Sequence, residues 1–258
     1  MLETRTVRWE GFYNARDLGG LPTIDGRITR RGALIRSADL RFVTAAGWQT
    51  AFDAGVRTVI DLRNDDEIRP RSLPGPTLAG GSASFAPPSA SPVVPPGIDA
   101  LWVPLDDIED IEFWRNLNDE QLNGTPLYYQ PFLMRKPERC VAAMAAIARA
   151  RPGGVIFHCG AGRDRTGLVA LLVLSLAGVE PSAIADDYEL STNQVVPLFA
   201  AFGHDDPTPS IEAALTRRDT TAVAVILDIL NSLDVTQHLR AGGLTDADFA
   251  ALRNRLRE

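Results

Sequence analysis

Ten residues, His158 to Gly167, constrain the fold of this chain most, because they join a buried strand to a helix through a glycine-rich loop. The four residues before them, Gly-Val-Ile-Phe, are typical of a buried strand, and the apolar run from Leu168 to Ala177 is long enough for a helix. At such a junction the first N–H groups of the helix lack carbonyl partners and point into the loop, together with the positive end of the helix dipole. The sequence therefore predicts an anion site between a strand and a helix.

The residue types in this loop indicate phosphate chemistry. Cys159 and Arg165 enclose five residues, and the two glycines among them let the backbone curl so that successive N–H groups converge. The planar guanidinium of Arg165 can hold two phosphoryl oxygens, and a cysteine at the base of such a loop is placed as a nucleophile. We expect Thr166 to donate its hydroxyl to the sulfur. The predicted phosphate-binding residues are Gly160, Ala161, Gly162, Arg163, Asp164, Arg165 and Thr166. The alternative is a buried structural thiol beside an ordinary tight turn.

The order His-Cys, five residues, then Arg-Thr-Gly resembles the signature of the cysteine-dependent protein tyrosine phosphatase superfamily. The full string HCGAGRDRTG is most similar to its atypical bacterial branch of tyrosine and triple-specificity phosphatases, and Arg163 replaces the lysine usual there. Residues 14–21, 30–40, 58–67 and 187–191 extend the resemblance over most of the chain. It implies a tyrosine phosphatase-like fold and a segment at about 193–233 that covers the site as a helical lid, for which ordinary core packing is the alternative.

Composition limits the classes of partner and location. The formal charge of −7 and the pI near 5.1 argue against a nucleic-acid partner and against a strong electrostatic hold on acidic membranes. Two cysteines give no disulfide framework. The first twenty residues contain no apolar leader, and the most apolar segment is about half the ~20 residues needed to span a bilayer. We expect a cytoplasmic protein without stable membrane insertion, leave open secretion without a signal peptide, and make no prediction of oligomeric state.

The hydrophobic pattern predicts an α/β fold, with a central, mostly parallel sheet flanked by helices, in a single domain over residues 1–258. The predicted strands are 32–36, 56–62 and an edge strand from 101. The predicted helices are 44–54, 109–122, 137–150, 181–192, 211–233 and 244–256. Residues 70–98, rich in Pro, Gly and Ser, predict a long surface loop, and residues 193–209 are expected to break helical order.

Phosphoester cleavage also needs a group that donates and accepts protons. Asp164, inside the loop, is the first candidate. Asp61 is the second, because the carboxyl ends of parallel strands carry ligands, although it can equally be an ion-paired residue at a strand end. Asp106 or Asp107 is the third, in a loop that resembles the acid-bearing Trp-Pro-Asp loop of other tyrosine phosphatases. His158 is expected to orient the loop rather than act as a base.

Two further residue sets have competing interpretations. Arg16 and Asp17 lie in a segment that the resemblance places near the active site, but an ion pair between them is the favoured alternative. Cys140 lies on an apolar helix face and is most simply a core residue. A redox sensor would instead use Cys140 as the resolving thiol for an oxidised Cys159.

The leading functional hypothesis is a phosphomonoester hydrolase that needs no metal or cofactor and acts through a phosphocysteine intermediate. Its predicted catalytic residues are Cys159, Arg165, Asp164 and Asp61. The expected substrates are phosphotyrosine proteins, with dual specificity left open. The alternatives are a phosphoinositide phosphatase that acts on phospholipid head groups, and a module that binds phosphorylated partners without catalysis.

Overall fold

The computed structural model describes residues 5–68 and 90–257, which contain one five-stranded sheet with helices on both faces. The strands are β1 (Arg16–Asp17), β2 (Leu34–Ser37), β3 (Val56–Asp61), β4 (Asp99–Trp102) and β5 (Gly154–His158). They lie in the order β1-β2-β5-β3-β4, with β1 antiparallel to β2 and all other neighbours parallel. The predicted mostly parallel sheet flanked by helices is confirmed, and β4 is the expected edge strand.

The central position of β5 follows from its sequence, because all five of its residues are buried. Its side chains alternate between the two faces of the sheet. Ile156 packs in the smaller core with α1, while Val155 and Phe157 pack in the larger core on the opposite face. The carboxyl ends of β2, β3 and β5 meet at one edge, so the loop after β5 lies between the ends of its two neighbours.

Helices cover both faces of this sheet. In chain order they are α1 (Ala45–Asp53), α2 (Asp65–Ile68), α3 (Ile111–Asp119), α4 (Tyr129–Arg135), α5 (Pro137–Arg149), α6 (Asp164–Leu176), α7 (Pro181–Glu189), α8 (Ser191–Gln194), α9 (Val196–Phe202), α10 (Thr208–Thr216), α11 (Ala222–Ser232), α12 (Val235–Ala241) and α13 (Asp246–Leu256), with a 3₁₀ turn at Pro126–Tyr128. Thr44 caps α1, and Thr245 with Asp248 forms a capping box on α13, as expected from the sequence. Every residue of α6 except Ser175 is buried, so the helix that follows the loop is fixed in the core.

The prediction for residues 193–233 is confirmed in one respect and wrong in another. Helical order is interrupted at residues 203–207, as expected, but residues 193–209 also contain α9 and the start of α10, because Pro197 and Pro209 occupy first-turn positions, where a helix needs no N–H. The single helix expected over 211–233 is two helices, α10 and α11, separated at residues 217–221, where Asp219 has a φ of +52°. The buried faces of both helices join the larger core through Leu215 and Ile226.

Two other expectations meet the limits of the described residues. The loop predicted at 70–98 lies largely outside them, and residues 90–98 form neither helix nor strand. Within the described ranges, no single helix has both the length and the apolar character to cross a membrane. The pair α11 and α12, bent by 69°, satisfies those criteria only when the two helices are joined.

Candidate active site

The loop between β5 and α6 is held from outside by its carbonyl groups. Four consecutive carbonyl oxygens accept hydrogen bonds from different parts of the chain. The pairs are Asp39 N to Gly160 O at 2.9 Å, Asn14 Nδ2 to Ala161 O at 3.0 Å, Arg36 Nη2 to Gly162 O at 2.9 Å, and Gly167 N to Arg163 O at 2.9 Å. A loop bound at every one of these peptides has little freedom to change shape.

The N–H groups of the same loop face the other way. In a trans peptide the C=O of one residue and the N–H of the next point in opposite directions, so carbonyls bound from outside place the following N–H groups on the inner side of the loop. Across residues 5–68 and 90–257, the N–H groups of residues 160–166 donate to no acceptor. N–H groups without acceptors at the N-terminus of a helix such as α6 are what a backbone anion site provides.

Gly162 makes this curvature possible. Its φ is +69°, in the left-handed region that favours glycine, and a Cβ there would lie 2.5 Å from the carbonyl oxygen of Ser37. The loop can therefore approach the end of β2 only because this residue has no side chain.

Cys159 lies at the base of the loop and is 2% exposed. Thr166, one turn into α6, is fully buried, and its Oγ1 has no hydrogen-bond partner in the described part of the chain. A buried hydroxyl without a partner costs free energy, which makes it a candidate for interaction with a group that forms during a reaction.

Arg165 is held by carboxylates that the loop sequence does not contain. Its Nη2 donates to Glu67 Oε1 at 2.8 Å, its Nη1 donates to Glu67 Oε2, and its Nε lies 3.7 Å from Asp106 Oδ2. Burial alone would lower the pKa of Arg165, but Glu67 and Asp106 outweigh burial and raise it well above the ordinary value. The guanidinium is therefore permanently charged and fixed in orientation.

Arg163 and Asp164 form an ion pair beside the loop. The Nε of Arg163 lies 3.2 Å from Asp164 Oδ1, and its Nη2 contacts Asp164 Oδ2 and the carbonyl oxygen of Gly124, both at 3.3 Å. Tyr188 donates its hydroxyl to Asp164 Oδ1 at 3.2 Å, and Tyr129 donates to the backbone carbonyl of Asp164 at 2.6 Å. Both the carboxylate and the backbone of Asp164 are thus anchored.

Asp61 lies at the end of β3 and is bound to Arg63. Arg63 donates to Asp61 through Nε at 2.9 Å and through Nη2 at 2.6 Å. Burial would raise the pKa of Asp61, but His158 and Arg63 outweigh burial and lower it. The pKa of His158 is lowered, mainly by its complete burial. Of the two interpretations of Asp61, this geometry matches the ion-paired residue at a strand end.

The third candidates for the proton carrier, Asp106 and Asp107, lie in two different environments. Asp106 is 2% exposed, accepts a hydrogen bond from Asn64 Nδ2 at 3.2 Å and faces Arg165. Asp107 instead accepts from Lys136 Nζ at 2.9 Å. Only Asp106 belongs to the surroundings of the loop.

A cluster of buried arginines supports the loop from behind. Arg16 and Arg36 both bind Asp187 on α7, with an Arg16 Nε to Oδ1 distance of 3.0 Å and an Arg36 Nη1 to Oδ2 distance of 2.7 Å, and Arg5 adds a third bond at 2.9 Å. Burial, together with repulsion from Arg36, lowers the pKa of Arg16 to about 9. Because Arg36 also binds Gly162, this cluster joins α7 to the loop.

The expected ion pair between Arg16 and Asp17 does not form, because each of the two residues binds a different partner. The two residues are neighbours on β1, so their side chains point to opposite faces of the strand. Arg16 pairs with Asp187, whereas Asp17 accepts from the backbone N–H groups of Gly19 and Gly32, each at 2.8 Å. The segment is nevertheless close to the loop, because Asn14 binds Ala161.

Cys140 is a core residue of α5, as the apolar pattern predicted. It is fully buried, and burial raises the pKa of its thiol far above the ordinary value, which makes the thiolate needed for disulfide exchange inaccessible. Among the residues that the structure describes, no group of three or more His, Cys, Asp or Glu side chains could hold a metal ion.

Several contacts at this site were missed from the sequence. Among them, Glu67, Arg36 and Tyr188 each bind a loop residue, but each lies far from the loop in the chain. Only Glu67 carried a local signal: it follows Asn64 by three residues and accepts from the Asn64 N–H at 2.8 Å, as in a capping box.

Comparison with known proteins is consistent with this geometry. The model of the tyrosine phosphatase family matches residues 7–258. A Cupriavidus necator protein, provisionally named a tyrosine-protein phosphatase, is 32% identical over 194 residues, which are 73% of this chain and 63% of that protein. The triple specificity protein phosphatase PtpB of Mycobacterium tuberculosis is 30% identical over 219 residues, covering 74% of this chain and 70% of PtpB.

The chain thus aligns with less than two thirds of the length of the Cupriavidus protein, whereas the family model covers almost all of the chain. The Cys159 to Arg165 loop, with its bound carbonyls and inward N–H groups, lies within the matched region. This protein belongs to the tyrosine phosphatase family.

Proposed function

We propose that this protein is a phosphomonoester hydrolase of the protein tyrosine phosphatase type that forms a phosphocysteine intermediate. One observation carries the proposal: the N–H groups of residues 160–166 donate to no acceptor in the described part of the chain, and they belong to the loop that joins Cys159 to Arg165, whose guanidinium Glu67 fixes. This arrangement supplies a nucleophile and positive charge around one phosphoryl group. It needs no metal, because the arginine and the backbone dipoles stabilise the transferring group.

In the first step the Cys159 thiolate attacks phosphorus, and the bond from phosphorus to the leaving oxygen breaks. The phosphoryl group passes to sulfur, while the leaving alcohol takes a proton from an acid. Arg165 and the N–H groups of residues 160–166 bind the phosphoryl oxygens throughout. Because their positions are fixed before substrate arrives, they bind the transition state without reorganisation.

In the second step a water molecule attacks phosphorus and gives its proton to the same residue. The sulfur–phosphorus bond breaks and the thiolate is restored. Thr166 is proposed to stabilise this thiolate through its hydroxyl, which is otherwise without a partner in the described ranges.

Asp164 is our proposed proton carrier. It lies in the loop next to Arg165, and Arg163 and Tyr188 fix its carboxylate. Asp61 comes second because it lies at the end of β3 rather than in the loop; Arg63 binds both of its oxygens, as Arg163 binds both oxygens of Asp164. Asp106 is the remaining candidate, since its Oδ2 lies 3.7 Å from Arg165 Nε.

Phosphotyrosine proteins are the proposed substrates. The relative from M. tuberculosis is named a triple specificity phosphatase, which supports testing phosphoserine, phosphothreonine and phosphoinositide substrates as well. The cytoplasmic location, the single domain and the lid at 193–233 stay predictions from the sequence.

The test is hydrolysis of an aryl phosphate in the presence of EDTA. We expect the wild type to turn over and Cys159→Ser to lose at least about 10³-fold in kcat. Asp164→Asn should lose about 10²- to 10⁴-fold in kcat. Cys140→Ala is the matched control, because it removes the other cysteine from a buried position away from the loop.

Two results would contradict the proposal. Retained activity in a folded Cys159→Ser protein would remove the phosphocysteine. A folded wild type that is inert towards aryl phosphate, phosphotyrosine, phosphoserine and phosphoinositide substrates, yet binds phosphopeptides, would identify a phosphate-binding module instead.

A further inference from the structure

A cavity of about 470 Å³ lies beside the phosphate loop. Arg163 forms part of its wall, and the rest comes from the end of α7, from α8, α10 and the start of α11. The volume lies within the ~300–1,000 Å³ typical of ligand sites. Neither phosphate binding nor the proton transfers of the proposed reaction use this cavity.

The walls of the cavity mix aliphatic and threonine side chains, and two exposed residues that line it are acidic. Ile211, Leu215 and Val223 supply apolar surface, and five threonines line much of the rest. Glu189 and Glu212 are exposed, and neither forms an ion pair with any described residue. The cavity therefore combines apolar and hydroxyl surface with two carboxylates that lack counter-ions among the described residues.

The charge of Arg163 does not cancel these carboxylates. Its guanidinium is already bound to Asp164 through two nitrogens, so the pair is close to neutral. The charged side chains that line the cavity therefore leave a net negative charge, which disfavours a polyanion such as a phosphoinositide head group. It favours a cation on an aliphatic stem, and among protein side chains only lysine and arginine have that form.

We propose that this cavity binds a basic side chain near the phosphorylated residue of a protein substrate. The proposal rests on the proposed function and deepens it, because it specifies the substrate as a phosphopeptide with a neighbouring lysine or arginine. Arg163 belongs both to the phosphate loop and to the cavity wall. Under this proposal, a peptide with its phosphate in the loop extends its flanking residues towards Glu189 and Glu212.

The test uses phosphotyrosine peptides that differ at one flanking position, which holds either lysine or uncharged norleucine. The readout is the ratio of kcat/KM for the two peptides, measured at each flanking position. At the best position the wild type should favour lysine by about three- to ten-fold, as expected for ion pairs near a surface. The ratio should fall as ionic strength rises, because salt screens exposed charges.

Variants test whether the preference for lysine arises from the two glutamates of the cavity or from the negative charge of the whole protein. Glu189→Gln combined with Glu212→Gln should bring the ratio close to one, and Glu212→Lys should lower it below one. Glu180→Gln is the matched control, because Glu180 is an exposed carboxylate next to α7 that does not line the cavity, and its ratio should equal that of the wild type.

The results also distinguish the two proposals. A wild type that hydrolyses aryl phosphate but shows no preference for lysine overturns the basic subsite and leaves the phosphatase in place. If the Glu189→Gln and Glu212→Gln double variant still prefers the lysine peptide, the basic subsite is overturned too. If aryl phosphate is not hydrolysed, calorimetric affinities of Cys159→Ser for the same peptides decide the subsite independently, and equal affinities for the lysine and norleucine peptides reject it.

Discussion

Glu67 accepts hydrogen bonds from both terminal nitrogens of Arg165. Its Oε1 lies 2.8 Å from Nη2 and its Oε2 accepts from Nη1, while the same Oε2 accepts from the backbone N–H of Asn64 at 2.8 Å. The first turn after β3 therefore fixes the arginine of the loop after β5. Orientation of a planar guanidinium matters because its N–H groups bind two phosphoryl oxygens only when both oxygens lie at its edge, close to its plane.

We expect Glu67→Gln to lower kcat/KM for an aryl phosphate by about 10- to 100-fold, because a misplaced catalytic group commonly costs about two orders of magnitude. The amide has only one oxygen to accept from Arg165, and its NH₂ group opposes the second nitrogen. Vanadate affinity should fall with kcat/KM, since both depend on the same guanidinium.

Asp65→Asn provides the control, because Asp65 lies on the same short helix but is exposed. Its kinetics should match the wild type. Equal kinetics for Glu67→Gln and the wild type would show that Arg165 is positioned by other contacts.

The sequence identified this site where its signal was local. The ten residues from His158 to Gly167 contain the proposed nucleophile Cys159, the arginine and the glycine of the turn, so the loop follows from neighbouring residues. The supporting contacts do not, because Glu67 is 98 residues from Arg165 and Arg36 is 126 residues from Gly162. Such pairs are fixed by the order of strands in the sheet, which the sequence pattern does not specify.

The errors have equally local causes. Arg16 and Asp17 have opposite charges and adjacent positions, but a strand directs neighbouring side chains to opposite faces. The single helix expected over 211–233 is interrupted at residues 217–221, where Asp219 has a φ of +52° that its residue type does not dictate. In both cases the backbone conformation at a position, rather than the residue type, decides the structure.

Gly162→Ala tests whether the loop needs its left-handed glycine. The variant should lose more than about 2 kcal/mol of unfolding free energy, because a φ of +69° already strains alanine by about 1–2 kcal/mol and the Cβ would meet the Ser37 carbonyl oxygen at 2.5 Å. The rate of aryl phosphate hydrolysis should fall together with the unfolding free energy. Urea denaturation and aryl phosphate kinetics measure the two effects.

Gly203→Ala is the control for Gly162→Ala, because the two glycines have nearly the same φ but only Gly162 lies against other backbone atoms. Gly203 has a φ of +71° at the end of α9, and a Cβ there would meet nothing within 4 Å. The variant should lose about 1–2 kcal/mol and keep full activity. Similar losses of stability and activity in both variants would show that φ, rather than the approach to Ser37, sets the requirement.

Asp187→Asn should destabilise the protein by about 3–5 kcal/mol near neutral pH, because it leaves three buried arginines without their shared carboxylate. Burial opposes ionisation of Asp187, but Arg16, Arg36 and Arg5 outweigh it and hold its pKa well below the ordinary value. A carboxylate with a lowered folded-state pKa adds stability above its unfolded pKa, near 4, and loses that contribution as pH falls.

The difference in unfolding free energy between wild type and Asp187→Asn should therefore be constant above about pH 5 and should narrow as the pH falls below about 4. The exposed neighbour on α7 gives the control, since Asp186→Asn should stay within about 0.5 kcal/mol of the wild type at pH 7. If the difference in unfolding free energy between wild type and Asp187→Asn grew towards acid pH, the Asp187 carboxylate would not stabilise the cluster.

Thr166→Val tests whether a buried hydroxyl has been retained for the reaction at the expense of stability. Both Thr166 and Thr58 have an Oγ1 without a hydrogen-bond partner among the described residues, and both are buried, so valine should be tolerated or should stabilise either site by up to about 1 kcal/mol. Only Thr166 lies near Cys159, and it is proposed to stabilise the departing thiolate. Thr166→Val should therefore hydrolyse phosphocysteine slowly and release aryl alcohol in a burst, whereas Thr58→Val should keep wild-type kinetics. A Thr166→Val protein with neither a burst nor a lower kcat would assign its hydroxyl no part in the second step.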